Sequence, residues 1–332
     1  MGKKPVVGSK PPASSKPAPK AKANAASTQP TGLMTLIAAG CCVLIAWEVW
    51  RRSIPGDGGL NTLHTQQCGR YGSAAVPHCS PTGKACGRIV IENFATPGEV
   101  DALRALADRG MALGGGAGGP TILDLQSGAL SYQDKFIDVW SAFNASSKQA
   151  FTKSDVAVYA DVVERVRQLA ERTFGVGASK SARPRRLHLT APTFFSRISG
   201  EREPKTQHDE YWHTHIDLEQ YGSFVFTSLL YLADGGVDFE GGDFEFLPKG
   251  SAQELADGSG PGAAGTPLAS VTPRRGMLVL FSSGPEHPHR VTRVRSGTRL
   301  AITIAFTCDE AAAITDFLGR SLPDEDSRGT AG

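Results

Sequence analysis

Hydrophobic positions follow three different rhythms along the 332-residue chain. They are unbroken from Leu33 to Trp47, where LMTLIAAGCCVLIAW carries no charge. They recur at helical spacing between about 96 and 175, and they alternate in short runs from Leu187 onward. In the helical stretch, Thr96-Pro97-Gly98-Glu99 combines an N-cap, a first-turn proline and an acid able to reach back to the cap. Val100, Leu103, Leu106 and Ala107 follow on one face, so a helix is predicted with Gly110 as its stop. A second helix is predicted from Ser154 to Phe174, with Val158, Val162, Val166, Leu169 and Ala170 in register and Gly175 ending it. LHLTAPTFFSRIS, SFVFTSLLYLA, GDFEFL, GMLVLFS and TRLAITIAFT then read as strands, each bounded by Gly, Pro or polar residues. Residues 249–272 are rich in Gly, Ala and Ser without a period, which predicts a flexible surface insertion between two strands.

Composition changes the picture mainly at the N-terminus. Residues 1–32 hold six lysines, no acid and few large apolar side chains, which predicts a disordered cytosolic tail. Residues 33–50 are about long enough to cross a bilayer once and are closed by Trp47, Trp50 and Arg51-Arg52, so a transmembrane signal anchor is expected. The lysine-rich leader places the remainder in the lumen of the secretory pathway, as a single-pass type II membrane protein of the ER or Golgi. Without the six leader lysines the net charge falls from +2 to −4, which excludes a broad basic face for nucleic acid.

Four cysteines, Cys68, Cys79, Cys86 and Cys308, then lie in a compartment where disulfides persist, and two bridges of open connectivity are expected. Asn144-Ala145-Ser146 is a glycosylation sequon there. The expected organisation is a stem over 51–86, a helical support region over 87–186, a mainly β core over 187–310 and a tail over 311–332.

The chemistry-bearing residues fall in that core. If residues 215 to 217 are extended, His215 and Asp217 point the same way, and His289 from a distant strand can join them. Two histidines and one carboxylate with open positions suit non-haem Fe(II). Arg299, in the strand 299–306, shares a face with Ala301, Thr303 and Ala305, whereas Leu300, Ile302, Ile304 and Phe306 share the other. Small neighbours leave space for a dicarboxylate to reach the guanidinium, a planar fork for carboxylates. Tyr211 and Trp212 are candidate walls of the substrate or cosubstrate pocket. Thr193, Phe195 and Arg197 alternate with Phe194, Ser196 and Ile198, leaving open which set faces a pocket, with Arg197 a candidate second carboxylate contact. The glycines at 114–119 lack the Lys-Ser/Thr ending of a phosphate loop.

Four stretches stand in a telling order: HTHID at 213–217, GGDFEF at 241–246, PRRGMLVLF at 273–281 and HRVTRVRSGTR at 289–299. Together with ILDLQSGALS, LTAPTFFSRI and TSLLYL, they resemble the 2-oxoglutarate and iron-dependent dioxygenases of the prolyl-hydroxylase type over roughly residues 86–308. The resemblance implies an α+β protein whose mainly β core is a double-stranded β-helix (jelly roll) with flanking N-terminal helices. It implies Fe(II) on His215, Asp217 and His289, with Arg299 on the distal carboxylate of 2-oxoglutarate. It further implies use of O2, release of succinate and CO2, and hydroxylation of a substrate, with ascorbate as a candidate accessory reductant. No substrate follows from it: a lumenal protein, a glycan and a small molecule all stay open. Two rivals are a cupin-like metal enzyme, because 213–219 also reads HxHxxxE, and a non-catalytic lumenal binding protein on the same barrel.

Overall fold

The computed structural model describes residues 61–66, 68, 86–143, 150–175, 186–205, 209–249 and 266–314. Helix α1 (Pro97–Met111) starts from the predicted cap: Thr96 Oγ1 accepts the Glu99 amide at 3.3 Å, and Glu99 accepts the Thr96 amide at 2.8 Å. It does not stop at Gly110. That glycine lies inside the last turn, where a Cβ would sit 2.5 Å from Leu123 and 2.7 Å from Phe151, so it serves close packing rather than termination. After a single turn, α2 (Val139–Ala142), comes helix α3 (Lys153–Phe174), capped reciprocally by Thr152 and Asp155 and ended by Gly175 at φ 64°. Arg165 ties α3 to Glu99 of α1 at 2.6 Å, and Arg109 ties α1 to Asp155 at 2.7 Å.

The strands are β1 (His64–Gln66), β2 (Cys86–Ile91), β3 (Gly115–Gly116), β4 (Thr121–Leu123), β5 (Ala129–Gln133), β6 (Lys135–Asp138) and β7 (His188–Ser199). They continue with β8 (Phe226–Tyr231), β9 (Phe239–Gly241), β10 (Phe244–Phe246), β11 (Ala269–Val271), β12 (Leu278–Ser282), β13 (His289–Val291) and β14 (Val294–Thr307). Among the described residues the large sheet runs β1-β2-β12-β8-β14-β7-β4-β5-β3, and a small sheet runs β11-β10-β13. This is the mainly β, jelly-roll type of core expected from the sequence.

The two faces of the large sheet do different work. Leu300, Ile302, Ile304 and Phe306 of β14 join Leu278 and Leu280 of β12 and the buried sides of α1 and α3 in one apolar cluster. Ala301 belongs to a second cluster with Val90, Leu229, Tyr231, Phe244, Phe246, Val279 and Phe281, which draws on both sheets. Burying each large apolar side chain contributes roughly 1.5–3 kcal/mol, so the helix-facing layer carries the cohesion while small residues on the inner face leave room.

The region expected to be a helical support also supplies strands β2 to β6, and β2 pairs directly with β12. The end of the expected insertion is ordered as well, because Ala269–Val271 forms β11 against β10. Cys68 is bonded to Cys86, and Cys308 is also in a disulfide. The tail 1–32, the apolar segment 33–50, Cys79, Asn144, residues 250–265 and residues 315–332 lie outside the described residues. Among those described, no helix is long and apolar enough to cross a membrane.

Candidate metal centre

Two remote stretches meet at the β13 edge of the small sheet. His215 forms an isolated antiparallel bridge with His289, and each amide donates to the other's carbonyl at 3.0 Å. Ile216 is extended (φ −124°, ψ 118°), after which Asp217 opens a short helix, α4 (Asp217–Tyr221). One extended residue suffices to aim Asp217 to the side of His215. The helical turn then carries Glu219 to an exposed position, and His213, also exposed, pairs with Glu210 at 2.6 Å. Neither residue joins the cluster that the HxHxxxE reading requires; among the described residues the group able to hold a metal ion is His215, Asp217 and His289.

Their donor atoms all lie within 4.8 Å of one another, with both imidazole Nε2 atoms 3.5 Å from Asp217 Oδ1. Each ring is held by its other nitrogen: His215 Nδ1 donates to the His213 carbonyl, and His289 Nδ1 to the His287 carbonyl, both at 3.0 Å. A carbonyl only accepts, so the hydrogen sits on Nδ1 and each Nε2 presents a lone pair inward. Thr227 Oγ1 donates to Asp217 Oδ2 at 2.6 Å and lies 2.8 Å from Ser283 Oγ, which leaves Oδ1 facing the imidazoles. Phe244 and Phe281 flank the His289 ring at centroid distances of 5.0 and 4.9 Å.

Burial alone would lift the Asp217 carboxyl, but the imidazoles of His289 and His215 outweigh it and hold the group well below the usual carboxylate range. Burial likewise opposes protonation of His215, and the Asp217 carboxylate outweighs it, so that imidazole is raised. The buried Asp217 carboxylate therefore calls for positive charge beside it, which a divalent cation held on two neutral imidazoles would supply. Two nitrogens and one carboxylate oxygen with open faces fit Fe(II).

On β14, Arg299 is 2% exposed, with Nε donating to the Gly242 carbonyl at 3.1 Å. Its Nη2 has no hydrogen-bond partner, and neither has the hydroxyl of Tyr231, whose ring centroid is 5.2 Å from the guanidinium carbon. Burial pushes the guanidinium down and the Tyr231 phenol up to about 12. Tyr231 and, at longer range, Asp243 oppose the downward push on Arg299, but no ion pair to it is seen among the described residues, and a carboxylate at Nη2 would relieve the cost of burying the cation. Gly242 makes room for this arrangement: at φ 69° its Cβ would stand 3.0 Å from Arg299 Cδ.

Register decides the remaining candidates. Across β7 and β14, Ile198 stands opposite Arg299, Ser196 opposite Ala301 and Phe194 opposite Thr303, so that set shares the inner face. Arg197 stands opposite Leu300, on the helix side, where it bonds Asp108 of α1. The expectation that Arg197 is a second carboxylate contact is therefore corrected. Tyr211 is half-buried, its hydroxyl accepting the Val294 amide at 2.8 Å. It lines a cavity of about 460 Å³ with Ile198, Trp212 and Arg293, whose wall includes none of the three metal-ligand candidates. Sequence reasoning missed Tyr231 and Thr227; the alternation of Thr227, Leu229 and Tyr231 in TSLLYL was the available signal.

A facial set of two imidazoles and a carboxylate, accompanied by a buried cation awaiting an acid, defines a non-haem iron oxygenase of the oxo-acid-dependent class. The model of the family described as the 2OG-Fe(II) oxygenase superfamily matches residues 204–307. The chain is 43% identical over 238 residues to 2-oxoglutarate and iron-dependent oxygenase domain-containing protein 3 of Xenopus tropicalis, covering 72% of this chain and 67% of that protein. It is 41% identical to the Homo sapiens protein of the same name, over the same 72% and 67%. Among solved structures, it is similar to a prolyl hydroxylase from Trichoplax adhaerens in complex with a hypoxia inducible factor peptide fragment. That likeness has 14% identity and a TM-score of 0.40, and covers 69% of this chain and 86% of the other. The chain belongs to the 2OG-Fe(II) oxygenase superfamily: it is a 2-oxoglutarate-dependent oxidoreductase that uses Fe(II), 2-oxoglutarate and O2.

Proposed function

We propose that the protein is a membrane-anchored dioxygenase of the secretory lumen that hydroxylates a lumenal polypeptide, glycan or small molecule. In this reading His215, Asp217 and His289 hold Fe(II), while Arg299 and Tyr231 hold the distal carboxylate of 2-oxoglutarate. The observation that carries it is the pairing of three convergent donors with a buried guanidinium and phenol that stand beside each other, with Arg299 Nη2 and the Tyr231 hydroxyl lacking a well-formed hydrogen bond. When bound, iron and 2-oxoglutarate supply an oxidative decarboxylation with O2, giving succinate, CO2 and a hydroxylated product; ascorbate is proposed as the accessory reductant.

The chain's own part is orientation and exclusion. The His213 and His287 carbonyls fix both imidazole tautomers, Thr227 fixes the carboxylate, and the Phe244 and Phe281 rings keep water from the His289 side. Lumenal placement is supported by the Cys68–Cys86 disulfide, since such bonds persist in oxidising compartments, and by the uncharged run after a lysine-rich leader.

Incubation of the full-length protein with Fe(II), 2-oxoglutarate labelled at the carboxyl beside its 2-oxo group and microsomal lumenal extract is expected to release labelled CO2 above a His289→Ala control. Equal release from the two would overturn the catalytic reading. In sealed microsomes a C-terminal tag is expected to resist added protease until detergent opens the vesicles; digestion without detergent would contradict the lumenal placement.

A further inference from the structure

His289 leans on a segment that precedes the oxygenase core. Its Nδ1 hydrogen is held by the His287 carbonyl, so the course of residues 282–288 sets where its Nε2 lone pair points. The His287 ring is 1% exposed and donates from Nδ1 to the Ser282 carbonyl at 2.8 Å, which leaves Nε2 as a buried acceptor. Gln66 meets that acceptor: its Nε2 lies 2.5 Å from His287 Nε2 and 2.9 Å from the Glu286 carbonyl. An amide nitrogen carries two hydrogens and no acceptor, so one side chain satisfies both groups. Glu286, also 1% exposed, accepts Ser282 Oγ at 2.6 Å, and the Gly87 amide of β2 donates to the same hydroxyl at 3.2 Å.

The arm that brings Gln66 to this place is three residues long. In β1, Gln66 is registered against Cys86 of β2, and the Cys68–Cys86 disulfide bolts the chain down two residues further on. So short a strand at the edge of a sheet has little hold of its own. The Cys68–Cys86 bond lies two residues from Gln66, which reaches the loop behind His289.

We propose that Gln66 is a positioning residue for the metal ligand His289, held in place by the Cys68–Cys86 disulfide, so that the stem completes the metal centre. This rests on His289 being a metal ligand. Leucine at 66 removes both hydrogens and leaves two buried acceptors unmet. Glutamate keeps the size but turns an acceptor toward them.

The test is equilibrium binding of Co(II) to the full-length protein, followed by the visible absorption of the bound ion, with thermal unfolding of the metal-free form in parallel. Gln66→Leu and Gln66→Glu are each expected to weaken Co(II) binding about tenfold, the lower end of what removing a group behind a metal ligand does. Cys68→Ala is expected to shift it in the same direction. In a His287→Phe background, where the ring has no acceptor to satisfy, adding Gln66→Leu should weaken binding by clearly less than it does alone. Unaltered Co(II) affinity in both Gln66 variants, with only the unfolding temperature lowered, would make the residue a staple and overturn the proposal. Failure of the unaltered protein to bind Co(II) would instead remove the metal reading itself.

Discussion

Arg299 is the residue whose surroundings say most about what it awaits. It is charged and buried, and its Nη2 and the Tyr231 hydroxyl beside it have no well-formed hydrogen bond. Charge-assisted hydrogen bonds contribute about 1.5–3 kcal/mol each, and about 1.4 kcal/mol is tenfold in binding. Arg299→Leu is accordingly expected to raise the KM for 2-oxoglutarate by about ten- to a hundredfold, and Tyr231→Phe by less, with Co(II) affinity unchanged in both. Steady-state kinetics against 2-oxoglutarate concentration checks this; an unchanged KM in Arg299→Leu would place the carboxylate elsewhere. The clustering of His215 with Asp217 and the inner-face position of Arg299 were legible because their signals are local: a one-residue gap in the first case and an alternating strand in the second. Tyr231 was not, because its role depends on standing opposite Ala301 across two strands. For Arg197 the alternation was legible, but only the pairing with Leu300 says which face it takes.

At the scale of elements, the caps were readable and the packing was not. Thr96, Pro97 and Glu99 announce α1 within four residues, whereas Gly110 reads as a stop although tertiary contact with Leu123 and Phe151 is what demands it. Short strands such as β3 and β4 carry too few residues to show a period, so the support region looked purely helical. Glu99 does double duty as cap and as partner of Arg165. Burial raises its carboxyl, but the Thr96 amide, the Arg165 guanidinium and the Thr96 hydroxyl outweigh that and lower it below the ordinary 4.5. A lowered carboxyl contributes stability above its ordinary value and loses it as pH falls through the folded one. Glu99→Ala is therefore expected to cost about 1 kcal/mol near neutral pH, with the gap to the unaltered protein closing on acidification below 4.5. Denaturant melts across pH measure it; a gap that persists undiminished in acid would mean that the charge contributes nothing.

Over the whole molecule, the helix-facing layer supplies cohesion so that the inner face can give up bulk at Ala301 and Ala305 and hold a charged residue. The candidate metal centre sits where segments from distant parts of the chain come together, and the stem strand reaches the loop behind it through Gln66. The joining of His289 to His215 and Asp217 is proposed from the sequence, whereas no local pattern, and no part of the resemblance over roughly 86–308, places residue 66 near residue 287. The central claim is that His215, Asp217 and His289 hold one ferrous ion. Anaerobic Fe(II) titration of the full-length protein, followed by calorimetry, tests it most directly. One equivalent should bind to the unaltered chain and to Glu219→Ala, and none with comparable affinity to Asp217→Ala. Equal loss in Glu219→Ala, or undiminished binding in Asp217→Ala, would contradict the account.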